Sequence, residues 1–599
     1  MIKHIIASFI LLATLSANGQ TDKRLKGLEK ELNAVLKATN TTGFAVAIVE
    51  KNKILYAKGF GYSDYENKIP ADANTLFAIG SCTKSFTASL LGQLREEGRL
   101  SFDESPRLYI PELSFFNREM NSGITIRDLM SHQTGLPRHD YSWYFFPSFS
   151  KDSLIQRIQY HEPFAGVREK WRYNNFMFMT QGVITERITG KTWEENIKER
   201  LFEPLNMNRS NLHIDELEKE SNIAIGYKLN DDDSVEKLDY YKIAGMSPAG
   251  SINSSVNEMS NWLITWINRG KYKGKQIIPE TYVREAISSQ AVIAGGLPSE
   301  EFPDMHILNY GYAWMVSSYK GHYEVEHGGA IDGFRASTAF YPSDSIGVVI
   351  LSNQNGSPIP GLVRKIIADR MLETEKTDWI ELYLEKKKEG KEAQDKAKKI
   401  KAEDDAVGPK SAHVSIDFIG TYQHPGYGMF EIVLTNDSLY ALFPLKKIYL
   451  RNKHYDVFEI FEVVGSKIDT TDESPLLFNF NTNDGGDISS VNLNMEPSIE
   501  RPLEFKRSSK TIEVDRAVLE SYVGNYDAMG TEIKVYLKGD ILYLFVAGQP
   551  EYAMIATEKH KFSFKTLEGY KLEFIEAADK SIKEVKMIQP NGTFVAKKK

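Results

Sequence analysis

Ser81 and Lys84, three positions apart, are the residues of this chain best suited by type and spacing to covalent chemistry. Apolar residues follow at helical spacing and a glycine ends the run: Phe86, Leu90, Leu91, Leu94 and Gly98. The pattern predicts that Ser81 and Lys84 share one face of a helix at its beginning, where unsatisfied backbone N–H groups favour developing negative charge. A partly desolvated lysine with a lowered pKa would then remove the serine proton and make the hydroxyl a nucleophile.

The Ser-x-x-Lys pattern alone also fits a helix-capping serine followed by a surface lysine, because both residues are common. Cys82 is the single cysteine of the chain and a rival nucleophile beside Ser81. A small buried side chain that fills space in the helix explains Cys82 better. The serine hypothesis therefore depends on motifs elsewhere in the chain.

A second motif, Tyr173-Asn174-Asn175, precedes a predicted helix over residues 177–188. A tyrosine held near a lysine ammonium is favoured as phenolate and can relay a proton to a leaving group. The amide of Asn175 can hold a substrate carbonyl group. The alternative is that Tyr173 only anchors a loop.

A third motif, His327-Gly328-Gly329-Ala330, follows a predicted strand that we expect to pair with the N-terminal hairpin. Paired glycines let a substrate backbone approach closely and leave a main-chain N–H for an oxyanion hole. A lone His-Gly-Gly is otherwise a common turn.

These three motifs, in this order, resemble those of the serine β-lactamase and penicillin-binding superfamily. The Tyr-x-Asn form is similar to the class C branch, which also holds esterases and D-aminopeptidases. Residues 129–137 and 250–255 are similar to two further stretches common in that branch. The resemblance covers residues 25–375, and motifs this numerous in the family's order are specific.

The resemblance implies catalytic roles for three side chains. Ser81 would be the acylated nucleophile, with Lys84 and Tyr173 sharing the base and acid duties. Asn175 would orient the scissile carbonyl group. It implies no need for a metal or organic cofactor.

The resemblance also implies substrate-binding roles beside the nucleophile. The backbone N–H groups of Ser81 and Ala330 would form the oxyanion hole, next to Gly328 and Gly329. His139 occupies a position where relatives often contact substrate; the alternative is a local hydrogen-bond pair with Asp140.

His327 departs from the family pattern, because β-lactamases and transpeptidases usually carry lysine at this position. An unperturbed histidine, with a pKa of about 6.5, is mostly neutral at pH 7 and gains charge toward pH 6. A neutral imidazole can donate a hydrogen bond but offers little charge to the carboxylate of a penicillin. The departure argues for an ester or amide substrate without that carboxylate.

The elements that must position these motifs begin with strands over residues 43–49 and 54–60 and return as strands over 323–327, 336–341 and 346–351. Residues 81–205 between them are mostly helical by pattern. We therefore expect an α/β (α+β) domain over residues 20–380, with one antiparallel sheet flanked by helices and a helical region inserted into it.

Two all-β modules are predicted after a charged helical linker over residues 381–411. The sequence at 418–422 returns at 522–526, and two further matches follow in the same order. The modules, residues 412–507 and 513–599, fit small up-and-down barrels. They contain no catalytic constellation, and we expect each to fold by itself.

Residues 1–19 have a basic start, an apolar run and small residues at the end, which predicts a cleavable signal peptide. No later stretch is apolar for long enough to span a membrane, and a net charge of −8 offers no basic surface to nucleic acid. The sequence thus predicts a periplasmic or secreted serine hydrolase acting on a peptide, amide or ester, small molecule or peptide in size. The alternatives are a β-lactamase, a D-aminopeptidase or DD-peptidase acting on cell-wall-related substrates, and a catalytically silent receptor for peptidoglycan fragments. The oligomeric state is left open.

Overall fold

The computed structural model describes residues 22–230, 232–404, 409–465, 467–468, 474–508, 514–528, 530–564, 570–589 and 592–599. The predicted signal peptide, residues 1–19, lies outside them. The chain divides into a first unit (Met1–Arg138, Ser148–Gln159 and Ala165–Asp404) and a second unit (His139–Pro147, Tyr160–Phe164 and Asp405–Lys599).

The first unit is built on one large sheet with three two-stranded ribbons. Its strands are β1 (Gly43–Glu50), β2 (Lys53–Asp64), β3 (Ile69–Pro70), β4 (Phe77–Ala78), β5 (Tyr227–Leu229), β6 (Val235–Lys237), β7 (Asn253–Ser254), β8 (Lys271–Tyr272), β9 (Lys275–Gln276), β10 (Ala291–Ala294), β11 (Leu308–Tyr310), β12 (Met315–Tyr319), β13 (His322–Ile331), β14 (Phe334–Tyr341) and β15 (Ile346–Ser352).

The large sheet is antiparallel, with strand order β10-β11-β12-β13-β14-β15-β1-β2-β3. The N-terminal hairpin β1–β2 joins the returning strands through β15, in the register Val46↔Ile350. The predicted sheet with a helical insertion is therefore confirmed. The expectation that β13 pairs with the hairpin is wrong, because β14 and β15 lie between β13 and β1.

Several helices of this chain have buried faces or caps that match their sequence, and α7 lies within two residues of its predicted bounds, 177–188. The α-helices are α1 (Leu28–Thr39), α2 (Thr83–Glu96), α3 (Arg118–Gly123), α4 (Ile126–Ser131), α5 (Tyr141–Tyr144), α6 (Lys151–Arg157), α7 (Asn175–Thr189), α8 (Trp193–Ile197), α9 (Ile214–Leu217), α10 (Ser247–Gly250), α11 (Val256–Ile267), α12 (Glu280–Ala286), α13 (Ile359–Met371), α14 (Trp379–Asp404) and α15 (Arg516–Tyr522). Within the described ranges no helix is both long and apolar enough to cross a bilayer.

The core beside the sheet is apolar because β1 and β15 are nearly continuous hydrophobic runs. Phe44, Val46, Ile48, Val348 and Ile350 are fully buried there against α1 and α13. The charged helix α14 begins at Trp379, whose ring is buried and donates to Asp369 Oδ2 at 2.8 Å. It covers most of the stretch predicted as a linker.

The second unit contains two closed barrels of eight strands, as the repeat predicts. Barrel A consists of β16 (Gly420–His424), β17 (Gly428–Thr435), β18 (Ser438–Leu442), β19 (Lys447–His454), β20 (Val457–Val464), β22 (Leu477–Thr482), β23 (Ile488–Leu493) and β24 (Leu503–Ser508), with β21 (Lys467–Ile468) paired outside the ring. Barrel B consists of β25 (Gly524–Ala528), β26 (Thr531–Lys538), β27 (Ile541–Val546), β28 (Tyr552–Glu558), β29 (Lys561–Phe564), β30 (Lys571–Glu576), β31 (Ile582–Gln589) and β32 (Gly592–Lys598).

The repeat is visible at one matched hydrogen bond in each barrel. Tyr422 donates its hydroxyl to Phe418 O at 2.8 Å, and Tyr526 donates to Tyr522 O at 2.7 Å. Both tyrosines are fully buried. The same short sequence therefore makes the same tyrosine anchor twice.

Barrel A packs with a segment from much earlier in the chain, which the repeat does not predict. This segment, residues His139–Pro147, is here called the strap and belongs to the same unit as barrel A. Phe145 and Phe146 of the strap are part of the buried cluster of barrel A. The ring of Phe146 stacks on Phe505 at 5.9 Å between centroids. The buried cluster of barrel B, in contrast, consists among the described residues of positions from 514 onward.

Candidate active site

Ser81 lies in a 3₁₀ turn, Gly80–Cys82, that runs directly into α2. Its side chain is half-buried, as a nucleophile that must meet a substrate requires. Gly80 has φ +50, and a Cβ on it would lie 2.7 Å from the backbone nitrogen of Ala330. The turn that carries Ser81 therefore packs directly on the backbone of β13, and glycine is needed both for its conformation and for this approach.

Lys84 is fully buried, and its ammonium group donates to oxygens of three residues named below. Nζ donates to Ser81 Oγ at 3.2 Å, to Asn175 Oδ1 at 2.7 Å and to Ala249 O at 2.7 Å. The two short contacts hold the nitrogen in place and leave its third direction for Ser81. The predicted Ser–Lys pair is thus a hydrogen-bonded pair.

Tyr173 and Asn175 reach the same centre from the start of α7. Asn174 caps this helix by accepting from Met177 N at 3.2 Å, so that Tyr173 precedes the helix and Asn175 is its first residue. Lys84 Nζ lies 4.9 Å from the centre of the Tyr173 ring. Two motifs that are far apart in sequence are therefore brought together around one ammonium group.

The third motif lies on β13, which continues past its last pairing with β12 at Glu326 and pairs with β14 as far as Ile331. A Cβ on Gly329 would lie 1.9 Å from Ile79 O, whereas a Cβ on Gly328 would meet no atom closer than 3.6 Å. Gly329 is needed for close packing against the Ser81 turn. Ser81 and Ala330 thus lie on adjoining backbone segments, the arrangement that the predicted oxyanion hole requires.

His327 is buried, and both of its ring nitrogens have protein partners. Nδ1 lies 2.6 Å from Gly328 O and therefore carries the proton, while Nε2 lies 3.1 Å from the Tyr310 hydroxyl. Burial, with a smaller effect of the Lys84 charge, lowers the pKa of His327 to about 3. The expectation that His327 gains charge toward pH 6 is wrong, because desolvation keeps the imidazole neutral.

Cys82 is buried, and its thiol donates to His327 O at 3.2 Å. Burial raises the pKa of the Cys82 thiol to about 12. A thiol in this state is a poor nucleophile, so the structure favours the interpretation of Cys82 as a space-filling side chain.

His139 has surroundings that do not suit substrate contact. Its imidazole is fully buried, with Nδ1 2.7 Å from the Tyr427 hydroxyl and Nε2 2.9 Å from Glu162 O. Its backbone nitrogen donates to Glu496 Oε2 at 2.8 Å. We therefore correct the predicted role of His139: it anchors the strap in the second unit.

His132 is a site residue that the sequence motifs did not single out. It has φ +58, it is buried, and its ring lies 4.4 Å from the ring of Tyr173. Its Nδ1 accepts from Asn174 N at 3.2 Å, and burial lowers the pKa of His132 well below its usual value. His132 lies in the family-like stretch 129–137, but no spacing rule assigns it to Tyr173.

Among the described residues, no three His, Cys, Asp or Glu side chains are placed to hold a metal ion together.

Comparison with known families gives two matches along the chain. The Beta-lactamase family model matches residues 25–369. A domain of unknown function, DUF3471, matches residues 404–507, which include barrel A up to the penultimate residue of its last strand.

Curated relatives include two from different kingdoms. Unguisins hydrolase ungD from Aspergillus violaceofuscus is 26% identical over 435 residues, covering 68% of this chain and 76% of that protein. Protein flp from Staphylococcus aureus is 24% identical over 333 residues, covering 55% of this chain and 63% of that protein.

Among solved structures, the octameric penicillin-binding protein homologue from Pyrococcus abyssi superimposes with a TM-score of 0.54 at 20% identity. The match covers 81% of this chain and 100% of that chain. At 20% identity, this similarity shows a shared fold and no more than that.

Proposed function

The chain belongs to the beta-lactamase family of serine hydrolases, and from that premise we propose that it is a secreted enzyme that forms an acyl-enzyme at Ser81 with a peptide, amide or ester. A relative similar in sequence, ungD from Aspergillus violaceofuscus, is named as a hydrolase. The observation that carries the proposal is the contact between Lys84 Nζ and Ser81 Oγ, 3.2 Å long.

The two other acceptors of Lys84 explain why this contact supports catalysis. A neutral amine has two N–H donors and one lone pair. Asn175 Oδ1 and Ala249 O, each 2.7 Å away, would accept from these donors, and a lone pair directed at Ser81 Oγ could receive the serine proton. In this geometry Lys84 can accept the serine proton.

The first step forms a bond between Ser81 Oγ and the substrate carbonyl carbon while the hydroxyl proton passes to Lys84. The carbonyl oxygen becomes an oxyanion, to which the N–H groups of Ser81 and Ala330 would donate. When the carbonyl reforms, the bond to the leaving amine or alcohol breaks; Tyr173 would donate its hydroxyl proton to the leaving group and take up the proton held by Lys84 in its place. Water then attacks the acyl-enzyme by the reverse set of transfers and releases the acid.

His327 bears on the choice of substrate, because it is neutral and its ring nitrogens bind protein atoms. It offers no cation to a substrate carboxylate, and this favours esters and amides over penicillins and D-Ala termini. A β-lactamase or DD-peptidase would need its cation from another residue. A catalytically silent receptor would have no use for the ordered contacts of Lys84.

Secretion is part of the proposal because residues 1–19 have the pattern of a signal peptide. N-terminal sequencing of the protein purified from its source would give a start near residue 18 or 20. A protein that retains Met1 would contradict cleavage.

Labelling with a fluorophosphonate tests the acyl-enzyme directly. We expect mass spectrometry to find one adduct, on Ser81 and not on Cys82, and we expect the Ser81→Ala protein to be unlabelled. A panel of p-nitrophenyl esters, D- and L-aminoacyl anilides and nitrocefin then ranks the substrate classes. Full turnover by Ser81→Ala would end the proposal.

A further inference from the structure

Arg138 places a second cation on the ring of Tyr173. Its guanidinium carbon lies 4.9 Å from the centre of that ring, the same distance as Lys84 Nζ. Cations this close to an aromatic face are attracted to it. Arg138 directly follows the stretch 129–137, and the sequence motifs assign it no role. Tyr173 is thus in contact with two cations, of which the lysine belongs to a predicted motif and the arginine does not.

The loop that leads to Arg138 is fastened to the segment that carries Tyr173. Asn174 N donates to His132 Nδ1 at 3.2 Å, at the beginning of the loop. Asn174 Nδ2 donates to Pro137 O at 2.5 Å, and Pro137 directly precedes Arg138. The loop is therefore tied twice to the residue that follows Tyr173. The bonds that hold the tyrosine also hold the backbone next to Arg138.

Arg138 differs from Lys84, His132 and His327 in keeping its charge. A guanidinium group does not lose its proton in proteins. Lys84, in contrast, gains and loses a proton during the proposed reaction. The rings of His132 and His327 lie 4.4 Å and 6.1 Å from the ring of Tyr173, and burial lowers the pKa of both histidines so that they stay neutral. Arg138 is therefore a permanent cation at this tyrosine.

Tyr173 needs a permanent cation because its hydroxyl oxygen is buried. Burial disfavours a phenolate. Tyr310 of the same site shows the effect, since burial raises its pKa well above the usual value. As Tyr173 gives its proton to the leaving group, negative charge develops on its oxygen until the proton of Lys84 replaces the one given up. A positive charge that is already in place stabilises that oxygen.

We propose that Arg138 is a positioning residue that acts through Tyr173, because its fixed charge stabilises the phenolate that forms while the leaving group takes the tyrosine proton. In this step the O–H bond of Tyr173 breaks, its electron pair stays on the phenol oxygen, and the proton bonds to the leaving oxygen or nitrogen. An N–H bond of the Lys84 ammonium then breaks and its proton restores the tyrosine. The inference rests on the proposed function and adds that Arg138 acts mainly on substrates whose leaving group needs a proton.

Two acetate esters that differ in the leaving group test this role. Phenolate is basic and gains from protonation as it leaves, whereas p-nitrophenolate is a stable anion near neutral pH and gains little. Arg138→Met removes the charge and keeps a long side chain, and Arg138→Lys keeps a charge. In Arg138→Met we expect kcat/KM to fall about three- to tenfold for phenyl acetate and less than about twofold for p-nitrophenyl acetate. The effect is moderate because Arg138 is exposed and solvent weakens its field.

Two further variants serve as controls for the charge. Arg138→Lys should stay within about twofold of the wild type on both esters. Arg118→Gln removes the same charge from an exposed arginine at the start of α3, outside the motifs, and should leave both rates unchanged. Equal losses on both esters in Arg138→Met would give Arg138 a purely structural role and overturn the inference.

A third ester separates this role from direct binding of a substrate anion. The leaving group of 3-carboxyphenyl acetate is similar in basicity to phenol and also carries a carboxylate. We expect Arg138→Met to lower kcat/KM for this ester and for phenyl acetate by the same factor. A loss confined to the carboxylate ester would mean that Arg138 binds a substrate carboxylate, and it would overturn the inference.

NMR separates this inference from the proposed function. In protein labelled with ¹³C at the ζ carbon of tyrosine, the signal that is missing from Tyr173→Phe reports the ionisation of Tyr173. This tyrosine should titrate about 0.5–1 pH unit higher in Arg138→Met than in the wild type. That change in a protein without ester hydrolysis or fluorophosphonate labelling would support the action of Arg138 on Tyr173 and reject the acyl-enzyme. Labelling and hydrolysis with an unchanged titration and an unchanged ratio of the two ester rates would do the opposite.

Discussion

Lys84 has the most constrained surroundings of the candidate catalytic side chains. Its acceptors include Ser81 Oγ, Asn175 Oδ1 and Ala249 O, each within 3.2 Å. Proton transfer by a positioned side chain contributes about 10²–10⁴-fold to rate. We therefore expect Lys84→Met to lower kcat on the best ester by about 10²–10⁴-fold.

The control for this prediction is Lys273→Met, because Lys273 is an exposed lysine. Thermal unfolding of both variants should show that Lys84→Met is folded. A Lys84→Met enzyme with more than a tenth of wild-type kcat would show that another group removes the serine proton.

His327 makes the stability of the protein depend on pH. Its pKa falls from about 6.5 in an unfolded chain to about 3 in the folded protein, because the site desolvates the charged form. Above pH 6.5 both states are neutral, and as the pH falls below 6.5 the unfolded state gains the proton first. Between pH 6.5 and 5 this side chain should lower the free energy of unfolding by about 2 kcal/mol.

Urea unfolding at pH 7 and pH 5 measures this effect. In His327→Gln the loss between the two pH values should be about 2 kcal/mol smaller than in the wild type. The exposed His306 provides a matched variant, His306→Gln, which should keep the wild-type dependence. Equal losses in the wild type and in His327→Gln would show that His327 titrates normally.

The motifs of Ser81, Tyr173 and His327 could be recognised in the sequence, but each alone also fitted an ordinary structural role, and only the resemblance of all three, in order, to one family assigned them to a single site. The motifs were not enough to predict the charge state of His327. That state depends on burial of the imidazole and, to a smaller extent, on the charge of Lys84, both of which arise only when distant elements pack together. The role of His139 was missed for the same reason, since its partner Tyr427 lies in barrel A.

Strand β13 and the turn before α2 form one packed arrangement, in which Gly329 lies against Ile79. A methyl group on Gly329 would overlap Ile79 O at 1.9 Å and push Ala330 away from Ser81. Overpacking costs about 1–3 kcal/mol, and loss of one oxyanion donor costs about 10²–10³-fold in kcat. We expect both losses in Gly329→Ala.

The neighbouring Gly328 provides the comparison for this strand. A methyl group on Gly328 meets no atom closer than 3.6 Å, so Gly328→Ala should change the free energy of unfolding by less than about 0.5 kcal/mol. Urea unfolding and single-turnover kinetics compare the two variants. Similar stability and kcat in both would show that β13 can move away from Ile79 at little cost.

The strands of the sheet were predictable because they are rich in β-branched and aromatic residues, as in residues 346–351. Their order was less so. Long-range packing decides which strand lies next to β15 in the sheet. The sequence of β13 alone does not show that β14 and β15 lie between β13 and β1.

The two barrels should differ in whether they fold alone. Barrel B has a buried cluster made by its own residues and α15, so a fragment of residues 514–599 should unfold cooperatively by circular dichroism. Barrel A shares its cluster with Phe145 and Phe146 of the strap, so a fragment of residues 409–508 should fold poorly. Our expectation that both modules fold alone is therefore kept for barrel B and revised for barrel A.

The strap can be tested in the full-length protein. Phe146 is 2% exposed, and Phe146→Ala should destabilise the barrel A transition by about 3–5 kcal/mol. Phe149→Ala, three residues away and 79% exposed, should change stability by less than about 0.5 kcal/mol. Thermal unfolding with no difference between the two variants would mean that the strap is not part of the barrel A core.

The strap is synthesised well before the strands of barrel A against which it packs. Roughly 270 residues separate Pro147 from the first strand of barrel A. At about 5–20 residues per second, a ribosome needs on the order of tens of seconds to make them. During that time Phe145 and Phe146 have been made but the strands that bury them have not. Barrel A can close only after the hydrolase sequence is complete, so chaperones have this interval in which to bind the uncovered rings.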